Sequence, residues 1–173
     1  VRCLGEGRPF VAELKSPLRR TVDYDKLAKS INKAAKDQIE IHGLRASNRA
    51  EVSRIKETKA EKSYTIRFAC DHKLTDEEIT TKIQSLSGKT LEQQTPQRVA
   101  HRRADLVRSR KVISIEEILV EGNEVQFDVR CESGTYVKEL VHSDEGRTNP
   151  SVAGLLETDC EVICLDVKDI HAD

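Results

Sequence analysis

Tryptophan and methionine are absent from this chain of 173 residues, and three tyrosines and three phenylalanines make up its whole aromatic complement. A protein that stacks nucleic-acid bases on aromatic rings would have few side chains to use, which raises the weight of Tyr24, Tyr64 and Tyr136. The start, Val1-Arg2-Cys3-Leu4, has neither an initiator methionine nor the apolar core of a signal peptide, so the chain reads as a piece of something longer. Its five cysteines (Cys3, Cys70, Cys131, Cys160, Cys164) are odd in number, scattered, and free of any C-x-x-C pair. That pattern signals neither a disulfide framework nor a zinc ribbon, and a reducing cytoplasm is the expected setting. Cys160 and Cys164 can be weighed as two metal ligands, but they lie in a strand-like run at 160–167, and buried structural thiols without metal are the preferred reading. No apolar run approaches the roughly 20 residues of a membrane helix, so no membrane role is expected.

A dominant charge is also lacking. With 37% apolar and 34% charged residues the composition is that of a folded globular chain, long enough for one well-packed domain or two small lobes sharing a cleft. A net charge of −1 would ordinarily argue against a nucleic-acid partner. The distribution of charge argues for one. Between Gln97 and Lys111 stand Arg98, Arg102, Arg103, Arg108, Arg110 and Lys111, with His101, against the single Asp105, whereas residues 157–173 carry six acids and one Lys168. The chain is polarised, with one concentrated basic element.

Periodicity predicts mixed α+β structure. Residues 8–14 have a strand's composition and end at Pro17; Asp23 is placed to cap a helix over 24–36; residues 38–43 alternate like a strand. A charged helix near 48–57 follows, then a strongly alternating strand at 63–70 and a helix over 75–86, capped by Thr75 with Glu78 three residues on. Beyond Thr95-Pro96 comes the basic element, read as helical, so that Arg98, Arg102 and Arg108 would share a face. Strands at 112–120 and 124–131 form a hairpin about Glu-Gly-Asn123, residues 134–142 are a loop entering a helix, 151–156 a short helix, and 160–167 a last strand. The strands are expected to form a mainly antiparallel sheet with helices packed on it.

Three constellations could carry chemistry. The almost purely positive basic element suits a phosphate track, since each guanidinium can hold two oxygens; the alternative is a solvated face. In GTYVK at 134–138, Gly134 permits a tight turn, and Tyr136 and Lys138 would point the same way if the segment were extended; spacing alone favours an ordinary structural loop. Tyr64 shares a strand face with Ile66 and Phe68, and is either core or a platform for a base.

The string at 131–151, CESGTYVKELVHSDEGRTNPS, contains the Gly-Thr-Tyr-hydrophobic-Arg/Lys motif of pseudouridine synthases. Its tail, His142 with Asp144-x-Gly-Arg-Thr-x-Pro-Ser151, resembles the family that makes pseudouridine at positions 54 and 55 of the tRNA TΨC arm, the Pus-ten family. The blocks TPQRVAHRRA at 95–104, GRPF at 7–10 and LDV at 165–167 resemble the same family in the same order. Ser143 departs from the usual glycine. This resemblance implies a pseudouridine-synthase-like domain over residues 1–173, the C-terminal portion of a catalytic domain, acting on tRNA without a cofactor; the oligomeric state is not fixed by the sequence, and a monomer is the expectation. It assigns Tyr64 to stacking on the target uracil and to proton removal, Lys138 to the cation beside the nucleophilic aspartate, Tyr136 to the pocket wall, and Leu155 or Leu156 to the surface beneath the base. The aspartate itself falls in a segment expected just upstream of Val1, and a zinc-binding N-terminal RNA-binding region further upstream. A non-catalytic RNA-binding module is the alternative reading.

Overall fold

The computed structural model describes residues 7–57 and 59–171. The chain divides into two compact units, Pro9–Thr58 and a larger one comprising Val1–Arg8 and Lys59–Asp173. In the smaller, α1 (Tyr24–Ala34) begins where Asp23 accepts a hydrogen bond from the Lys26 amide at 3.0 Å, and α2 (Arg49–Glu57) follows Asn48, which caps Glu51 in the same way. Neither helix buries a residue. The strands expected at 8–14 and 38–43 do not form. Alternation makes a strand only where a second ladder is available, and at Ile41 the amide and carbonyl are instead bound by the side chain of Asn32, at 2.8 and 3.0 Å.

The larger unit is built on six strands: β1 (Glu61–Cys70), β2 (Thr90–Gln94), β3 (Val107–Glu121), β4 (Glu124–Cys131), β5 (Thr148–Asn149) and β6 (Cys160–His171). They lie in the order β5-β2-β3-β4-β1-β6, and every pairing is antiparallel. The β3–β4 hairpin turns at Gly122 and Asn123, as the sequence leads one to expect. Ile66 and Phe68 of β1, and Val125, Phe127 and Val129 of β4, all bury on one face, because alternate residues share a side of the sheet. Phe68 and Phe127 meet edge to face with ring centroids 6.1 Å apart, an arrangement worth about 1 kcal/mol beyond burial. Ile79 and Ile83 of α3 (Asp76–Gln84), Leu140 and Val141 of α4 (Val137–His142), and Val152 and Leu156 of α5 (Val152–Leu156) join the same core. Helix α3 carries the expected capping box: Thr75 Oγ1 accepts the Glu78 amide, and Glu78 accepts the Thr75 amide.

The opposite face is polar. There Thr65 donates to Asp128 at 2.6 Å, Lys168 pairs with Asp128, and Arg130 pairs with Glu61 at 2.7 Å. Cys70, Cys131 and Cys160 are buried, and burial pushes the Cys131 and Cys160 thiols up to about 12. Cys164 departs from the expectation: it is only half-buried on β6, with Sγ 3.5 Å from the Asp166 carboxylate, because β6 pairs on one side alone. Cys3 lies outside the described residues. Among those described, no helix is long and apolar enough to cross a membrane, and no cluster of three or more His, Cys, Asp or Glu could hold a metal ion.

Candidate active site and RNA-binding surface

The antiparallel register brings four strand ends to one side of the sheet: the start of β1, the end of β4, the start of β3 and the end of β2. Tyr64 lies there, opposite Val129 on the helix-covered face, half-buried and packed against the core. Burial pushes its phenol above the ordinary value, helped by Cys131 and opposed by the positive charge of Arg8. From Cys131 the chain enters residues 132–136, which reach β2, three strand spacings from β1 and roughly 14 Å away at about 4.8 Å per spacing. The crossing is anchored to β3, where the Glu132 amide donates to the Lys111 carbonyl at 3.0 Å. Residues 132–135 form a turn in which Thr135 donates to the Glu132 carbonyl and Gly134 takes φ +83°, a conformation that favours glycine. Arg110 packs closely beneath it: a Cβ on Gly134 would stand 3.3 Å from its Nε, close enough that the guanidinium would have to shift.

Tyr136 is the last extended residue before α4, with φ −89° and ψ 93°. Lys138 is already on the helix. The two therefore do not share a strand face as expected; Tyr136 is half-buried and Lys138 exposed, because the helix begins between them. Among the described residues the Lys138 side chain makes no hydrogen bond or ion pair. Tyr136 is held from β2 by Gln93, a fully buried side chain that accepts the Tyr136 amide at 2.9 Å and donates to its carbonyl at 3.0 Å. Leu156 is buried and Leu155 half-buried on α5, and the Leu155 carbonyl accepts from Lys82 Nζ at 2.9 Å.

The basic element is not one helix. Residues Gln97–Arg102 form a 3-10 helix, Arg103 turns extended, and the chain doubles back into β3 at Val107. Thr95 enforces the reversal: its amide donates to the Leu106 carbonyl at 3.0 Å, and its hydroxyl accepts the Leu106 amide at 3.1 Å. Arg98, Arg102 and Arg108 consequently share no helix face. His101, Arg102 and Arg103 are exposed, and among the described residues their side chains have no hydrogen-bonding partner. Arg108 donates to Thr95 Oγ1 at 2.9 Å; Arg110 is tucked beneath Gly134, its Nε buried without a partner; Lys111 is exposed at the edge of β2 and β3. Arg98 donates to both oxygens of Glu139, at 2.6 and 3.1 Å, which raises its pKa further, and it lies 5.8 Å from the Tyr136 ring centroid.

Gln93, Glu139 and Arg147 are the residues that sequence reasoning passed over. Arg147 donates to the Thr95 carbonyl at 3.1 and 2.7 Å and to Asp105 at 2.7 Å, and Asp144 accepts the Gln97 amide at 3.0 Å, so residues 144–147 brace the 3-10 helix from outside. Glu139 left a faint signal, an acid flanked by Val137, Leu140 and Val141; Gln93 left only its place two residues after Leu91. A groove of about 370 Å³ lies elsewhere, on the polar face of the sheet beside Ser63, Asp128, Arg130 and Lys168, where Lys168 is already paired with Asp128 and Arg130 with Glu61.

A sheet of antiparallel strands with helices on one face, and the GTYVK turn crossing its strand ends, defines a pseudouridine-synthase-like α+β domain. The chain shares this fold with the crystal structure of a Cbf5-Nop10-Gar1 complex, at a TM-score of 0.53 and 25% identity, over 65% of this chain and 31% of that one. The family model described as Pus10, C-terminal, matches residues 1–171, and the chain belongs to this family. It is 42% identical over 171 residues to the tRNA pseudouridine synthase Pus10 of Methanocaldococcus jannaschii, and 41% identical over 170 residues to that of Halorubrum lacusprofundi. These alignments take in 99% and 98% of this chain but 37% and 40% of the relatives, so the chain spans about two fifths of the length of the curated relatives it matches.

Proposed function

We propose that this chain is the C-terminal part of the catalytic domain of a tRNA pseudouridine synthase that isomerises uridine 54, uridine 55 or both in the TΨC arm. The observation that carries the reading is that Tyr64, near the start of β1, and the GTYVK turn, which follows the end of β4 and is held by Gln93 near the end of β2, lie toward the same end of one sheet. The reaction breaks the bond from ribose C1′ to uracil N1, forms one from C1′ to C5, and moves the C5 proton to solvent while N1 regains one; nothing is oxidised and no cofactor is consumed. A carboxylate must act on the sugar or the ring, and the family resemblance puts that aspartate upstream of Val1.

Lys138, exposed and uncommitted, is the cation that keeps such a carboxylate ionised. Tyr64 supplies its ring to the uracil. Its raised pKa favours the neutral phenol near pH 7, so stacking suits it better than proton removal, which would need a counter-charge such as Arg8. Tyr136 forms the wall, and Leu156 or Leu155 the floor. His101, Arg102 and Arg103 hold backbone phosphates while the target uridine leaves its stack, with Arg108, Arg110 and Lys111 behind them. The test is position-resolved mapping of pseudouridine in a T-arm transcript treated with a full-length protein carrying this chain. Product at 54 or 55 is expected; product at neither, with the RNA bound, would leave a binding module.

A further inference from the structure

Arg98 belongs by sequence to a row of phosphate-seeking cations, yet its surroundings set it apart from its neighbours. His101, Arg102 and Arg103 are exposed and uncommitted, whereas both oxygens of Glu139 receive the Arg98 guanidinium, at 2.6 and 3.1 Å. The Glu139 side chain is 1% exposed and that of Arg98 51%. Charges of this kind stay buried only when paired, and a two-pronged guanidinium supplies charge and geometry together. The same group lies over the Tyr136 ring. Arg98 therefore touches the chain on both sides of Lys138 in sequence, at Tyr136 just before α4 and at Glu139 within it. The 3-10 helix that carries it is itself fixed, at Gln97 by Asp144 and at Thr95 by Arg147.

We infer that Arg98 is a positioning residue: through Glu139 and the face of Tyr136 it sets the first turn of α4, and with it Lys138, against the braced 3-10 helix, and it binds no phosphate of its own. This rests on the pseudouridine-synthase reading for its catalytic consequence. Without Arg98 the buried Glu139 loses its partner and must admit water or swing outward, and either change disturbs the residues on either side of Lys138. A phosphate ligand would behave otherwise. Its removal would weaken RNA binding and flatten its salt dependence, and would leave bound substrate to react at the normal rate.

The experiment compares Arg98→Ala with the unaltered full-length protein carrying this chain in two ways. In steady-state assays on a T-arm transcript, kcat is expected to fall about tenfold or more with KM within about twofold and an unchanged salt slope, and added guanidinium ion is expected to restore part of kcat. Independently of activity, amide exchange at residues 136–141 is expected to quicken while β1 and β4 keep their protection. A salt slope flattened by roughly 0.7–0.9 with kcat retained would make Arg98 a phosphate ligand and overturn the inference. Unchanged exchange at 136–141 would overturn it as well, and so would loss of protection throughout β1 and β4, which would make Arg98 a support of the whole fold. Should the unaltered protein form no pseudouridine, the functional reading fails while the exchange comparison still decides the role of Arg98.

Discussion

Two glycines of the larger unit, Gly134 and Gly122, both sit at positive φ, at +83° and +60°, yet they answer to different constraints. A Cβ on Gly122 would meet nothing within 4 Å, so Gly122→Ala meets only backbone strain, about 1 kcal/mol. At Gly134 the same strain is joined by an approach of 3.3 and 3.4 Å to Arg110 Nε and Nη2. Arg110 lies beneath the turn with Nε buried, and its guanidinium would have to give by a few tenths of an ångström. Gly134→Ala is therefore expected to cost more than Gly122→Ala, about 2 kcal/mol in all, read as a lower denaturant midpoint at constant slope. Equal costs would show that Arg110 yields freely. That a glycine was needed in this turn was legible in the sequence; the guanidinium under it was not, because nothing local connects residue 110 to residue 134.

Among the elements, those written in a local code were legible. Strand β1 announces itself by alternation, α3 by Thr75 and Glu78, and the β3–β4 hairpin by its two-residue turn. Elements defined by partners were not. Residues 8–14 and 38–43 have strand composition and no ladder to join, while β2, Thr-Leu-Glu-Gln-Gln, has weak composition and joins two. The basic element reads as a helix only if the reversal imposed by Thr95 is unknown. Strand β2 then supplies what holds the GTYVK turn in place. In Gln93→Leu a side chain of similar size would leave the Tyr136 amide without its acceptor and Thr148 Oγ1 without its donor, while the Tyr136 carbonyl would keep only the Leu140 amide. A loss of about 2 kcal/mol is expected, on the scale of one or two unsatisfied buried groups, with faster amide exchange at Tyr136. A variant as stable as the original would mean that water takes over both bonds.

Across the whole molecule, a net charge of −1 hides the separation of a basic stretch from an acidic C-terminal one, and RNA affinity is expected to reside in the former. Arg102 and Arg103 are exposed and bind nothing else among the described residues, so Arg102/Arg103→Ala should weaken tRNA binding without unfolding the domain. For each phosphate no longer neutralised, the slope of log affinity against log salt flattens by roughly 0.7–0.9. An unchanged slope would make the pair a solvated surface. The most direct measurement of the central claim is pseudouridine formation in a T-arm transcript by three proteins: this chain alone, a full-length protein carrying it, and that protein with Lys138→Ala. On the proposed reading Tyr64 and Lys138 orient and neutralise, but neither replaces a carboxylate that attacks the sugar, and a carboxylate stripped of its counter-charge has a raised pKa and no fixed position. The expected result is product from the full-length protein, none from the chain alone, and a rate lower by about a hundredfold or more in the Lys138 variant. Activity in the isolated chain would place the attacking group within these 173 residues, and full activity in the variant would remove Lys138 from the site.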